Sequence, residues 1–186
     1  MDDCPFCRTP QPDNDADALA MVQARVEKKD PEAIVILGTK YLFGDLGLQQ
    51  DTQKAVQLWT KAAELGSIGA LYELGIAYDG GHGVQENRAK AAAEFYTKAA
   101  MQGHVESRFA LGCYEGNKGN SDRAVRHFLI SAKMGHSESV EGIKAMFMDG
   151  LAMNEQYAEA LKGYQDAVEG MKSRDRDEAK ILNARK

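Results

Sequence analysis

Apolar residues in this chain recur at intervals of three and four in short stretches, and glycine-bearing turns separate the stretches. Ala70, Leu74, Ala77 and Tyr78 share one face of a helix if the backbone turns about 3.6 residues at a time. Asp79, Gly80, Gly81, His82 and Gly83 follow, a run rich in the one residue that takes positive φ freely, which ends that helix and turns the chain. A second stripe of Ala91, Ala92, Phe95, Ala99 and Ala100 comes next and stops at Gly103. The pattern predicts two helices around a loop, each with one apolar side.

The same layout is written more than once. Leu37-Gly38 overlays Leu74-Gly75, Tyr41 overlays Tyr78, Gly47 overlays Gly83, and Lys54-Ala55 overlays Lys90-Ala91. Trp59 overlays Phe95 and Lys61-Ala62-Ala63 overlays Lys98-Ala99-Ala100, which gives a period of 36 to 37 residues. Leu111-Gly112 opens a third copy 37 residues beyond Leu74-Gly75, continued by Ala124, Phe128, Ala132 and Gly135 after a shorter loop. A fourth keeps Gly150, Tyr157, Ala160, Tyr164 and Ala167 but lacks the Leu-Gly pair. A single helix pair cannot hide its own apolar face, so neighbouring copies are expected to stack. Gly38 and Gly75 fall mid-helix, where glycine costs roughly 1 kcal/mol against alanine. That cost points to a close approach by a neighbouring helix, with Trp59 or Phe95 filling the space between pairs.

The predicted fold is therefore all-α, an α-solenoid of stacked antiparallel helix pairs. Residues 1–14 read as a disordered stub, and 15–30 as an N-terminal capping helix with Leu19, Val22 and Val26 at helical spacing and Asp15 as its cap. Residues 31–168 hold the array, in copies of about 31–66, 67–103, 104–135 and 136–168, and 169–186 read as a charged helical extension.

Composition narrows the function classes. With 44% hydrophobic residues in 186, the chain can bury a core, and a net charge of −5 argues against a nucleic-acid or anionic-membrane surface. No apolar run reaches the roughly 18 residues of a membrane span, so no membrane insertion is expected. Three cysteines make no disulfide framework, in keeping with a soluble intracellular, cytoplasmic protein. No Ser-His-Asp arrangement or phosphate-cradling G-x-x-x-x-G-K is written here, and the DGGHG loop lacks the lysine such a cradle needs. His104 and His136 each follow a helix-stopping glycine at the same repeat position, which suits a structural role. The chain reads as non-catalytic, with no cofactor for the array.

The pattern A-x-x-x-L-G-x-x-Y-x-x-G-x-G-V…D-x-x-K-A-x-x-W/F-x-x-K-A-A-x-x-G resembles the Sel1-like repeat, a relative of the tetratricopeptide repeat, over roughly residues 32 to 168. The resemblance implies helix pairs in a right-handed superhelix and a scaffold or adaptor that binds a protein or peptide partner. In arrays of that kind the first helix of each pair lines the concave surface. By overlay, the positions facing into it are near Ile36, Thr39 and Lys40 in the first copy, and near Glu73 and Ile76 in the second. They are near Arg108 and Cys113 in the third copy and near Glu141 and Lys144 in the fourth. Gly38, Tyr41, Trp59, Gly75, Tyr78, Phe95 and Gly112 form the repeat frame.

The N-terminal CPFCR is similar to the last zinc-ligand pair of a RING finger, written C-P-x-C before a basic residue. That resemblance implies Cys4 and Cys7 as zinc ligands, Pro5 at the contact with a ubiquitin-conjugating enzyme, and Arg8 at the position that steadies the ubiquitin thioester. Two ligands make half a structural zinc site, so zinc is expected only if a complete RING lies upstream. The alternative expectation is therefore the substrate-recruiting part of a zinc-dependent ubiquitin ligase whose RING is truncated in this chain.

Overall fold

The computed structural model describes residues 14–81 and 88–171, and every regular element among them is an α-helix. They are α1 (Asp15–Glu27), α2 (Pro31–Phe43), α3 (Thr52–Glu64), α4 (Ile68–Asp79), α5 (Arg88–Met101), α6 (Val105–Asn117), α7 (Ser121–Lys133), α8 (Ser137–Met148) and α9 (Asn154–Met171). Side chains at the starts accept backbone N–H groups that the first turn leaves without partners: Asp30 from Glu32 and Ala33, Asp51 from Lys54, Ser67 from Ala70. Asn14, not Asp15, caps α1, because its extended backbone aims the amide oxygen at the Asp17 N–H. Asp15 instead joins the first turn, where its charge meets the positive end of the helix. Gly66, Gly103 and Gly135 follow the second helices of the first three copies with φ of 91°, 90° and 92°, a left-handed turn that L side chains resist.

Tyr41 lies against Lys54 and the Val35 carbonyl against Trp59, so α2 and α3 run antiparallel. The same pairing joins α4 to α5, α6 to α7 and α8 to α9. The described residues divide between Gln102 and Gly103 into two compact units. In the first, α1 packs on α2 and α3 on α4, around a core of Ile34, Ala55, Trp59, Ala62, Ala70, Leu74 and Ala77, with Val26 of α1 against its edge. The core of the second is Ala124, Phe128, Ala132, Val140, Ile143 and Ala160, flanked by Phe109, Tyr157 and Tyr164. Each fully buried aliphatic or aromatic side chain here contributes about 1.5 to 3 kcal/mol by leaving water.

Within each of the first three pairs, a glycine of the first helix lies under an aromatic ring of the second. A Cβ on Gly38 would stand 2.6 Å from Trp59 Nε1, and one on Gly112 would stand 2.5 Å from Phe128 Cε1. Over Gly75 the ring is that of Tyr96, which corrects the overlay of Trp59 on Phe95. The second helix of copy two is displaced by 37 residues, not 36, so Ala92 and Tyr96 take the buried places of Ala55 and Trp59. One residue is about 100° of helix, enough to carry Phe95 round to the half-buried flank, where its ring meets Tyr78 at 5.2 Å. The close approach expected from these glycines is thus to a ring within the same pair.

The fourth pair lacks the covered glycine. At the 32-residue displacement of the caps His104 and His136, Ile143 takes the buried place of Leu111 and exposed Lys144 that of Gly112. The α9 rings of Tyr157 and Tyr164 are half-buried against the same core.

Candidate interaction surface

The outward side of the first helices is where the sequence points for binding. On α2, Ile36 is 38% exposed, and on α4, Ile76 is 39% exposed. Positions 36 and 73 are equivalent, as are 39 and 76, and α2 touches α4, with Glu32 of α2 beside Ser67 at the start of α4, so these four residues lie on corresponding sides of neighbouring helices. Phe43, 65% exposed, is seven residues beyond Ile36 and therefore on the same stripe of α2. The sequence reading passed over it, although its i+7 relation to Ile36 was legible. Thr39 turns its hydroxyl back to the Val35 carbonyl at 3.2 Å, and the Lys40 ammonium is held by Asp45 at 3.0 Å. Both polar groups already have a partner within the chain.

Glu73 differs from both. Its side chain is half-buried and no hydrogen bond or ion pair to it is found among the described residues, so burial alone pushes its carboxyl above the ordinary value of 4.5. Protonating Glu73 is therefore easier in the folded chain than in the unfolded one. The stabilising contribution is full below 4.5 and is lost as pH rises through the folded value. Glu73→Gln, which keeps the shape without the charge, should raise the urea midpoint at pH 7, and the gain should vanish near about pH 4. A gain of equal size at both values would show that the charge is not its source.

In the second unit, α6 and α8 carry the corresponding residues. Arg108 is half-buried and Cys113 is exposed, while Glu141 and Lys144 are exposed and face each other at 3.3 Å. Burial and then the Arg108 guanidinium hold the His127 imidazole below its ordinary value of 6.5, with its Nδ1 enclosed. Copies three and four thus present a more polar first-helix surface than copies one and two.

The two histidines singled out in the sequence stand at helix starts. His104 Nδ1 accepts the Ser107 N–H at 3.2 Å and meets its hydroxyl at 3.0 Å. His136 Nδ1 meets the hydroxyl of Ser139 at 3.0 Å, and that hydroxyl meets Ser131 Oγ at 2.6 Å. Ser107, Ser131 and Ser139 are fully buried. Glu138 approaches His136 at 3.5 Å on the same ring nitrogen as Ser139, whereas a hydrolytic relay needs serine and carboxylate on opposite nitrogens. These groups tie helix ends together. Cys4, Pro5, Cys7 and Arg8, with His82, Gly83 and Asn87 of the second loop, lie outside the described residues.

The Sel1 repeat family model matches residues 31–67, 68–104 and 105–136, more than half of the chain. The chain belongs to the Sel1 repeat family. It is 28% identical over 129 residues to chitin synthase regulatory factor 3 of Schizosaccharomyces pombe, which covers 67% of this chain and 13% of that protein. Among solved structures, the Sel1 repeat protein from Oxalobacter formigenes superposes with a TM-score of 0.70 at 22% identity, over 83% of this chain and 64% of that one. The protective antigen c5321 of uropathogenic Escherichia coli, which displays the SLR fold, does so with 0.68 at 26% identity, over 83% of this chain and 33% of that one. This chain therefore spans a small part of the length of the curated relative. The Sel1 model stops at residue 136, where the glycine-ring device also ends, so α8 and α9 form a helix pair outside the matched repeats. Among the described residues, no helix is long and apolar enough to cross a membrane.

Proposed function

We propose that this Sel1 repeat protein is a non-catalytic scaffold that holds a protein or peptide partner on the outward face of its first helices. The observation that carries this reading is the exposure of Ile36, Phe43 and Ile76 on the outward sides of the touching helices α2 and α4. Side chains of this kind are costly to leave in water and gain most when a partner covers them. The relative's name, a regulatory factor for chitin synthase, agrees with action through another protein. Under this reading the array needs no cofactor, and the frame residues set the spacing of the face while its outward residues set the partner.

Random dodecapeptides displayed on phage, selected against the full chain, test the reading. Peptides recovered in this way should bind the combined variant Ile36→Asp, Ile76→Asp at least about tenfold more weakly, because few residues carry most of an interface. Gln57→Asp, an exposed change on α3, should leave binding as it was. Equal loss with both variants, or with neither, would remove the first-helix face from the function.

A further inference from the structure

The chemistry of the α2 and α4 face goes further than its exposure. Ile36 and Phe43 lie on one helix, Glu73 and Ile76 on the next, with Ile36 and Glu73 at equivalent places in the two copies. An apolar patch by itself accepts any greasy segment. A carboxylate set into its edge does not, because covering the patch takes the remaining water from that carboxylate and leaves a charge with nothing to meet it. Lys40, the cation on the α2 stripe, is engaged with Asp45 at 3.0 Å. Lys54 rests over the Tyr41 ring at 4.1 Å. The described chain thus gives Glu73 no cation of its own, and burial already works against its charge before any partner arrives.

Resting on the scaffold reading above, we infer that this face selects a basic segment: a peptide or helix whose lysine or arginine meets Glu73 while flanking aliphatic or aromatic side chains cover Ile36, Phe43 and Ile76. The apolar residues supply most of the contact and the carboxylate supplies the choice. An acidic segment of the same shape would bring two like charges together in a partly dry site, and a neutral one would leave Glu73 buried without a partner. A cation turns the same carboxylate from a cost into a charge-assisted hydrogen bond. Arginine fits best, since its planar fork can hold both carboxylate oxygens.

The dodecapeptide selection reads this directly from the sequences it returns. The expected result is an excess of Lys or Arg within about four residues of an aliphatic or aromatic side chain, the reach of one helical turn. Those peptides should bind Glu73→Gln about tenfold more weakly, the weight of about 1.4 kcal/mol. Selection on Glu73→Lys should return acidic peptides instead. Glu73→Gln removes an uncompensated charge without changing shape, so weaker binding would not reflect lost folding. Peptides that need Ile76 but show no basic excess, and bind Glu73→Gln as tightly, would overturn the inference and leave the interaction face standing. Peptides indifferent to Ile76→Asp, or no peptides at all, would overturn both.

Discussion

Replacing Trp59 by alanine will lower the stability of this chain by about 3 to 5 kcal/mol, the range for removing a large aromatic from a closed core. Its ring is 1% exposed and its Nε1 donates to the Val35 carbonyl at 3.2 Å. The size of the loss follows from the neighbours. Gly38, Ala55 and Ala62 around it are too small to reach into the space the ring leaves, so the cavity stays open and its walls lose their contacts. Removing the indole also leaves the α2 backbone without a ring over Gly38, where the first copy holds its two helices together. Urea unfolding followed by circular dichroism measures the effect; a change under about 1 kcal/mol would mean that the pair closes without its ring.

The second large effect is at Gly75, where leucine should cost about 3 kcal/mol. Even the first carbon of a side chain there falls inside contact distance of the Tyr96 ring, and the ring is 6% exposed, with little room to swing away. Leucine gains up to about 1 kcal/mol of helix propensity over glycine, so a net loss requires the clash to outweigh that gain. Tyr96→Ala supplies the control. Alone it opens a cavity, but combined with Gly75→Leu it should restore part of the loss, giving a favourable coupling in a double-mutant cycle. An unchanged melting temperature for Gly75→Leu would show that α4 and α5 do not approach closely there.

Much of this architecture was legible before any coordinates. A helix must repeat its apolar side every three or four residues, and a unit that cannot bury that side alone must recur, so period and composition gave the helix pairs and their stacking. Mid-helix glycines declared a close approach because they cost stability without one. The register of the second α5 turn was less secure. Alanines at 91, 92, 99 and 100 are alike in size, so a shift of one residue left the pattern looking intact while exchanging Phe95 for Tyr96. Phe43 went unnoticed for a related reason, since an aromatic at a helix end reads equally well as core or surface.

The candidate surface divides along the same line. That Ile36 and Ile76 occupy outward positions followed from the overlay, because helical geometry fixes which residues share a side. That Lys40 is engaged by Asp45 while Glu73 meets no described cation did not follow, since both depend on what the loops and neighbouring helices bring near. The sequence by itself determined the secondary structure, the repeat and the faces, because each is a local consequence of spacing. Only the tertiary structure decided which ring covers which glycine and which charges find partners among the described residues. Each ring is 16 to 21 positions from the glycine it covers, and no periodicity along the chain encodes how two helices settle against each other.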